Sequence, residues 1–473
     1  MISRDRSIAA AFVLAAILTL LPPGSRAQSF RTGALESRFQ VAVSYYDSGR
    51  YREAARVLEE LVTQTSASFE VEELLGLVYS AESRDQEAYR HFEKAVRLKP
   101  SSAPARANFA VNLARLGKND LAEAEFKKAL YSEPANFSAN HDFGEFYARG
   151  GKAKEAIPYL RTAQKAQPSS YGNGYDLALA YVQVGMWAEA RQQIQDVLKV
   201  RDTAELHGLL GEVEEKNGNY VAAANEYQQA AQMDPSESNI FDWGGELLLH
   251  QTLNPAIEVF SEGVKRYPDS PRLAVGLGLA LYWSGQYDES VKALVKATDL
   301  SPSDPRPYYF LSRAYQHSHS EADEVINRFQ RFAQSRPRDG RAAYYYAMSL
   351  WKAKQGLASG SFPNQAVALL KKAIHLEPTF AQAHLELANL YSQQQEYSAS
   401  VPEYQQAIKL DSKLAIAYYR LGQAYVHLGD AELAKKEFQI HKQLYQQHLA
   451  EWDNEQQEVR HFVFSRQANR GSP

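Results

Sequence analysis

Small residues recur along this chain in two registers. One runs Ala54, Ala88, Ala122, Ala156 and Ala190 at steps of 34, then continues through Ala223, Ala256, Ser290, Val325, Ala366, Ser400 and Ala434. The other stands 12 residues ahead of it in most cases: Ala42, Gly76, Ala110, Gly144, Ala178, Gly211, Gly244, Gly278, Ser312, Ala347, Ala388 and Gly422. Proline closes most periods, at positions 100, 134, 168, 235, 268, 302, 337 and 378, with Asp202 and Ser412 standing where it is missing. A residue without an N–H cannot continue a helix, so each proline predicts a helix end. Gly117, Gly151, Gly185, Gly218, Gly285 and Gly429 fall between the two small positions of their periods, where a left-handed helix C-cap is expected. The pattern therefore predicts tandem pairs of helices. Where two helices cross most closely, only Gly, Ala or Ser leaves room for the backbones.

The clearest period, residues 69–102, carries Leu75-Gly76, Tyr79, Ala88, Phe92, Ala95 and Pro100. In this set and spacing the chain resembles the tetratricopeptide-repeat family, over roughly Leu35 to His441 and about 12 units. The resemblance implies an all-α, right-handed superhelical solenoid of helix-turn-helix repeats, closed by a C-terminal capping helix. It also implies that repeat positions 2, 5, 9, 12 and 13, on the first helices, face the concave side. Two units depart from the pattern. Unit nine carries Val325 on the small register and the loop His317-Ser318-His319-Ser320. Unit ten carries an insertion around Gly356 to Pro363, expected as a protruding turn.

The ends read differently. Arg4 and Arg6, an uncharged run from Ile8 to Leu21, the break Pro22-Pro23-Gly24 and the small residues of Ser25-Arg26-Ala27 make residues 1–27 read as a signal peptide cleaved after Ala27. The run is short for a membrane anchor, which needs about 20 apolar residues. No later stretch is long and apolar enough to span a bilayer. A periplasmic or secreted location is expected, with a short linker over 28–34 and the repeat array over 35–441. Residues 442–467 place Leu444, Leu449, Trp452, Val459, Phe462 and Val463 on an approximate helical stripe, expected as the capping helix. Residues 468–473 are expected to form a disordered tail.

Composition narrows the chemistry. Cysteine is absent, which excludes disulfides, thiolate zinc sites and a lipid-anchoring thiol. The formal net charge of −4 argues against a nucleic-acid binder. No HExxH, GxSxG or phosphate-cradling GxxxxGK[ST] occurs, and repeats fill nearly all the chain, so the expectation is a protein that is not an enzyme and needs no cofactor. The loop of His317, His319, Glu321 and Asp323 holds metal-competent groups, but side chains two apart in a loop rarely converge, and no metal is assigned there. A metal-dependent enzyme at His317 and His319 stands as an alternative.

Binding surface is the remaining asset. On the positions that the resemblance turns inward, units two to four carry Glu70, Glu73, Leu77, Val111, Arg115, His141, Glu145 and Arg149, a mixed polar set. Unit six is mostly acidic, with Glu205, Glu212, Glu215 and Lys216. Units eight to ten align Arg272, Arg306 and Arg341 at position 2 and Tyr309 and Tyr344 at position 5, with Tyr282, Trp283, Arg313, Trp351 and Lys352 deeper, and Tyr419 repeats the position-5 aromatic in unit twelve. Arginine and aromatics dominate binding hot spots, so this groove is the candidate ligand site, for a segment bearing carboxylates and apolar side chains. The lysine and asparagine clamp of chaperone-binding family members is not matched: Asn108 and Asn389 stand without a lysine partner, beside Glu73 and Leu385. The expected function is a scaffold or adaptor outside the cytoplasm that binds a polypeptide, in envelope assembly or export. A glycan ligand, stacked on the aromatics, is the other possibility.

Overall fold

A computed structural model describes residues 33–64, 68–319, 322–354 and 364–448. Every described element is a helix, 24 in all. The chain divides into two compact units, at Asn219. The expected signal peptide, the inserted turn at 356–363 and everything after His448 lie outside the described residues.

The first unit consists of five helix hairpins and one further helix. The hairpins are α1 (Gly33–Asp47) with α2 (Tyr51–Gln64), α3 (Phe69–Ala81) with α4 (Asp85–Leu98), α5 (Ala103–Arg115) with α6 (Asn119–Ser132), α7 (Phe137–Arg149) with α8 (Ala153–Ala166), and α9 (Tyr171–Gln183) with α10 (Trp187–Val200). Helix α11 (Ala204–Lys216) ends the unit.

The second unit opens with α12 (Tyr220–Met233). Six hairpins follow: α13 (Glu237–Leu249) with α14 (Leu253–Arg266), α15 (Pro271–Trp283) with α16 (Tyr287–Leu300), α17 (Pro305–His317) with α18 (Ala322–Ser335), α19 (Gly340–Lys354) with α20 (Asn364–Leu376), α21 (Ala381–Gln393) with α22 (Tyr397–Leu410), and α23 (Ala415–Leu428) with α24 (Ala431–His448). Helix α24 runs unbroken through position 442, where the sequence suggested a separate terminal helix. No described helix is long and apolar enough to cross a membrane.

The small registers do what their spacing predicts. A Cβ added at Gly76 would sit 2.5 Å from Phe92, at Gly144 2.5 Å from Leu160, and at Gly278 2.5 Å from Leu294. Ala88, Ala122, Ala156 and Ala190 are fully buried on the opposite helix. Ser290 replaces alanine without leaving a polar orphan, because its hydroxyl donates to the Gly278 carbonyl at 2.6 Å. Phe260 fills the space between Gly244 and Gly276, glycines of successive hairpins, where an added Cβ would come within 2.8 and 2.5 Å of its ring.

The loop glycines also hold their expected conformation. Gly117, Gly151, Gly185, Gly218, Gly285 and Gly429 all have φ between 71° and 86°. Ser83, Gln251 and Gln395 occupy the equivalent position at φ 60°, 55° and 63°, a region costly for residues with a Cβ. Unit nine closes its turn by other means. The Ser318 hydroxyl and the His319 N–H both donate to Asp288 Oδ1 at 2.6 Å.

The first helix of a hairpin is commonly capped by a side chain. Asn136 accepts from the Ala139 N–H at 3.0 Å, Ser270 from Leu273 at 3.2 Å, and Asp304 from Arg306 at 2.9 Å.

Candidate functional site

The arginine and aromatic rows of units eight to ten lie on α15, α17 and α19. Their side chains are engaged with neighbouring helices as much as with solvent. Arg272 is the most enclosed, only 15% exposed, with Nε 2.6 Å from Glu237 Oε1 and its guanidinium 5.2 Å from the Phe241 ring centre. Glu237 opens α13, one repeat earlier, so this pair joins successive first helices. Burial raises the Glu237 carboxyl, but bonds from Arg272 and Ser270 outweigh it and hold it below its ordinary value. Tyr282 packs edge-on against Tyr287 with ring centres 5.7 Å apart, and Trp283 is half-buried against the core.

Arg306 folds back on its own helix cap. Its Nε lies 3.0 Å and its Nη2 2.7 Å from Asp304, yet the side chain remains 55% exposed. Two turns further, Arg313 Nη1 donates to the Tyr309 hydroxyl at 2.9 Å. Arg341 is the most open of the row, at 64%, with Glu377 3.8 Å away and the Phe380 ring 5.7 Å from its guanidinium.

Tyr344 is nearly closed off at 9% exposure, its ring 4.9 Å from Phe380 and 5.7 Å from Tyr345. Burial, with the nearby Glu386 charge, pushes its phenol well above the usual value. Trp351 is buried in the same core. Lys352 donates to the Gln316 carbonyl and lies 5.2 Å over Tyr315, and burial lowers its ammonium from the usual value against the opposing charge of Asp288. Tyr419 stays exposed beside Phe438 and His441.

The structure thus gathers Arg341, Phe380 and Tyr344 at one place and Arg313 with Tyr309 at another. Arg272 is drawn away, towards Glu237. Two of the cations tie successive repeats, Arg272 to Glu237 and Lys352 to Gln316, while Arg306 and Arg341 face carboxylates of their own repeat, Asp304 and Glu377. Arg306 and Arg341 are the ones that still present their guanidinium groups to solvent.

Two first-helix carboxylates perturbed by burial could not be recognised as such in the sequence. Glu386 on α21 accepts from Asn389 Nδ2 at 3.1 Å, and burial raises its pKa. In the first unit Glu73 on α3, one repeat position earlier than Glu386 in its own unit, is 4% exposed, accepts from Asn108 at 3.3 Å and is pushed up to about 7 by burial. Where chaperone-binding relatives place a lysine, this chain therefore buries an acid. The sequence did signal it, since Glu73 and Asn108 stand 35 residues apart. Their burial could not be read there.

The His317 and His319 loop is organised by other contacts. The His317 ring lies 5.0 Å from Tyr287, and the backbone of His319 is held by Asp288. Glu321 lies outside the described residues. Among the described residues, a group with metal-ligand spacing occurs instead at His141, Asp142 and Glu145.

The family comparison identifies the repeat. The profile described as "Tetratricopeptide repeat" matches residues 41–103, 108–171, 175–238 and 255–305, more than half of the chain. Further repeat profiles match 388–429 and 416–447. No curated protein matches the chain. Among solved structures it is similar to the C-terminal part of a TPR repeat-containing protein from Cytophaga hutchinsonii, at 16% identity and TM-score 0.43, covering 51% of this chain and 96% of that one. It is also similar to PilW, a type IV pilus biogenesis factor, at 23% identity and TM-score 0.39, covering 43% and 95%. The Naa15/Naa10 complex bound to HypK matches at 16% identity and TM-score 0.35, over 86% of this chain and 68% of that one. This chain belongs to the tetratricopeptide-repeat family.

Proposed function

We propose that this chain is a non-catalytic scaffold acting outside the cytoplasm, and that it holds a polypeptide segment along the first helices of units eight to ten. The family is one of protein–protein interaction scaffolds. The observation that carries this reading is the pairing of exposed Arg306 and Arg341 with half-buried Tyr309 and the tilted Phe380–Tyr344 ring pair. Guanidinium groups that keep solvent access beside an aromatic floor suit carboxylates flanked by apolar side chains. The signal-peptide pattern of residues 1–27 supports the location.

The test is a photo-crosslinker placed at Tyr309 in the native host, with crosslinked peptides identified by mass spectrometry. The paired substitution Arg306→Glu and Arg341→Glu should weaken capture of the crosslinked partner by about tenfold or more, the scale expected when two charged anchors are reversed. Unchanged capture would remove the groove assignment. N-terminal sequencing of the mature protein should begin at Gln28, and retention in the cytosol with Met1 in place would end the extracytoplasmic reading.

A further inference from the structure

The cluster His141, Asp142 and Glu145 lies on α7 in the first unit, well away in sequence from the arginine and aromatic rows. One potential ligand atom from each lies within 4.8 Å of the other two. His141 and Glu145 are four residues apart on a helix, so they share one face, the spacing by which helical metal motifs present two ligands together. With metal–ligand bonds of about 2.1 Å, donors around a tetrahedral ion stand about 3.4 Å apart, so the three groups would draw together by about 1 Å on binding one.

A second observation concerns how the imidazole is held. Asn173, on α9 and fully buried, donates its amide N–H groups to the Leu160 carbonyl at 3.0 Å and to Gln164 Oε1 at 2.7 Å. The Leu160 carbonyl can only accept, which fixes the amide nitrogen there and turns Asn173 Oδ1 towards His141 Nδ1 at 3.2 Å. That oxygen can only accept as well, so the neutral ring must carry its hydrogen on Nδ1. The lone pair is then left on Nε2. Asp176 Oδ2, also from α9, lies 4.0 Å from the same Nδ1. Metal-ligating histidines are oriented in this way, donating one N–H to a carbonyl or carboxylate so that the other nitrogen binds the ion. Stacking of the ring on Phe137, 5.7 Å away and nearly parallel, holds it further.

We propose that His141, Asp142 and Glu145 form a binding site for a divalent transition-metal ion of the Zn2+ type, with Asn173 as the positioning residue for the imidazole. One nitrogen and two carboxylate oxygens suit such an ion, since imidazole favours Zn2+ and its neighbours over Ca2+ and Mg2+. Three protein ligands leave a coordination position open to water or to a group from a bound partner. Arg149 competes for the site, with Nη2 2.6 Å from Glu145 Oε1. It is an exposed side chain and can swing away.

The test is equilibrium dialysis of the purified full chain, without a histidine tag, against ZnCl2, MnCl2 and CaCl2, with bound metal measured by mass spectrometry. A single saturable Zn2+ site is expected, weakened at least about tenfold by His141→Ala and by Glu145→Gln, the loss of a ligand costing no less than the loss of an outer partner. Arg149→Ala should tighten it several-fold, a gain that damage to the fold would not give. Circular dichroism without metal checks that each variant is folded. No saturable Zn2+ binding, Zn2+ binding indifferent to both His141→Ala and Glu145→Gln, or a preference for Ca2+ would each overturn the proposal.

Discussion

The two units share one framework and present different chemistry on it. In the first unit the register that the family turns inward carries the buried Glu73 with Asn108, and His141 with Glu145 braced by Asn173. In the second unit the same register carries arginines tied to carboxylates, tyrosines and buried Trp351. The interhelical contacts do not differ in kind. Phe126 stacks on Phe143 at 4.9 Å in the first unit, and Phe260 sits between Gly244 and Gly276 in the second. The difference teaches that close helix contact constrains a few positions per repeat and leaves the first-helix face free to vary.

If the framework is common to both units, removing a core aromatic should cost the same in each. Phe126→Ala and Phe260→Ala are expected to lose about 3–5 kcal/mol apiece, the range for deleting a buried aromatic. Urea unfolding followed by circular dichroism measures it. A loss below about 1 kcal/mol in one unit would break the comparison.

The buried acids offer a sharper contrast with pH. Burial pushes Glu73 up to about 7 from an ordinary value of 4.5, opposed only in part by the Asn108 bond. Because the folded pKa is the raised one, the favourable contribution is full below the unfolded value and is lost as pH rises through about 7. Glu73→Gln should thus match the parent near about pH 4 and exceed its stability near about pH 8 by roughly 2–3 kcal/mol. Glu386→Gln in the second unit should move in the same direction, since burial raises that carboxyl too. Melting temperatures across that pH range decide both, and a variant that is less stable at high pH would contradict the buried-acid reading.

The smallest effects belong to the turns. Ser83 in the first unit and Gln395 in the second adopt φ of 60° and 63°. Replacing either with glycine should raise stability by about 0.5–1 kcal/mol, and Gly117→Ala or Gly285→Ala should lower it by a similar amount. Equal gains in the two units would confirm a shared turn geometry, and a loss at Ser83 would show that its side chain has another role.

Much of this was legible without coordinates. The small registers located the close contacts of nearly every hairpin, and the loop glycines located the left-handed turns. Both follow from local sterics: a missing Cβ has the same consequence wherever helices meet or φ turns positive. The sequence did not show that Ser83, Gln251 and Gln395 take the same turn, because nothing in their chemistry demands it. For the candidate site the position of each arginine was readable and its availability was not. Arg272 and Arg341 occupy the same repeat position, yet one is enclosed against Glu237 and the other largely open.

The sequence by itself determined the fold: a helix-pair period repeated about twelve times leaves little freedom in how the chain packs. Tertiary structure decided which face residues remain accessible, and which tautomer His141 adopts. Those depend on partners about a repeat away, such as Asn173 for His141, Glu237 for Arg272 and Asn108 for Glu73. Helix periodicity fixes the side of a helix on which a residue stands. Only the packed neighbour determines what it meets there.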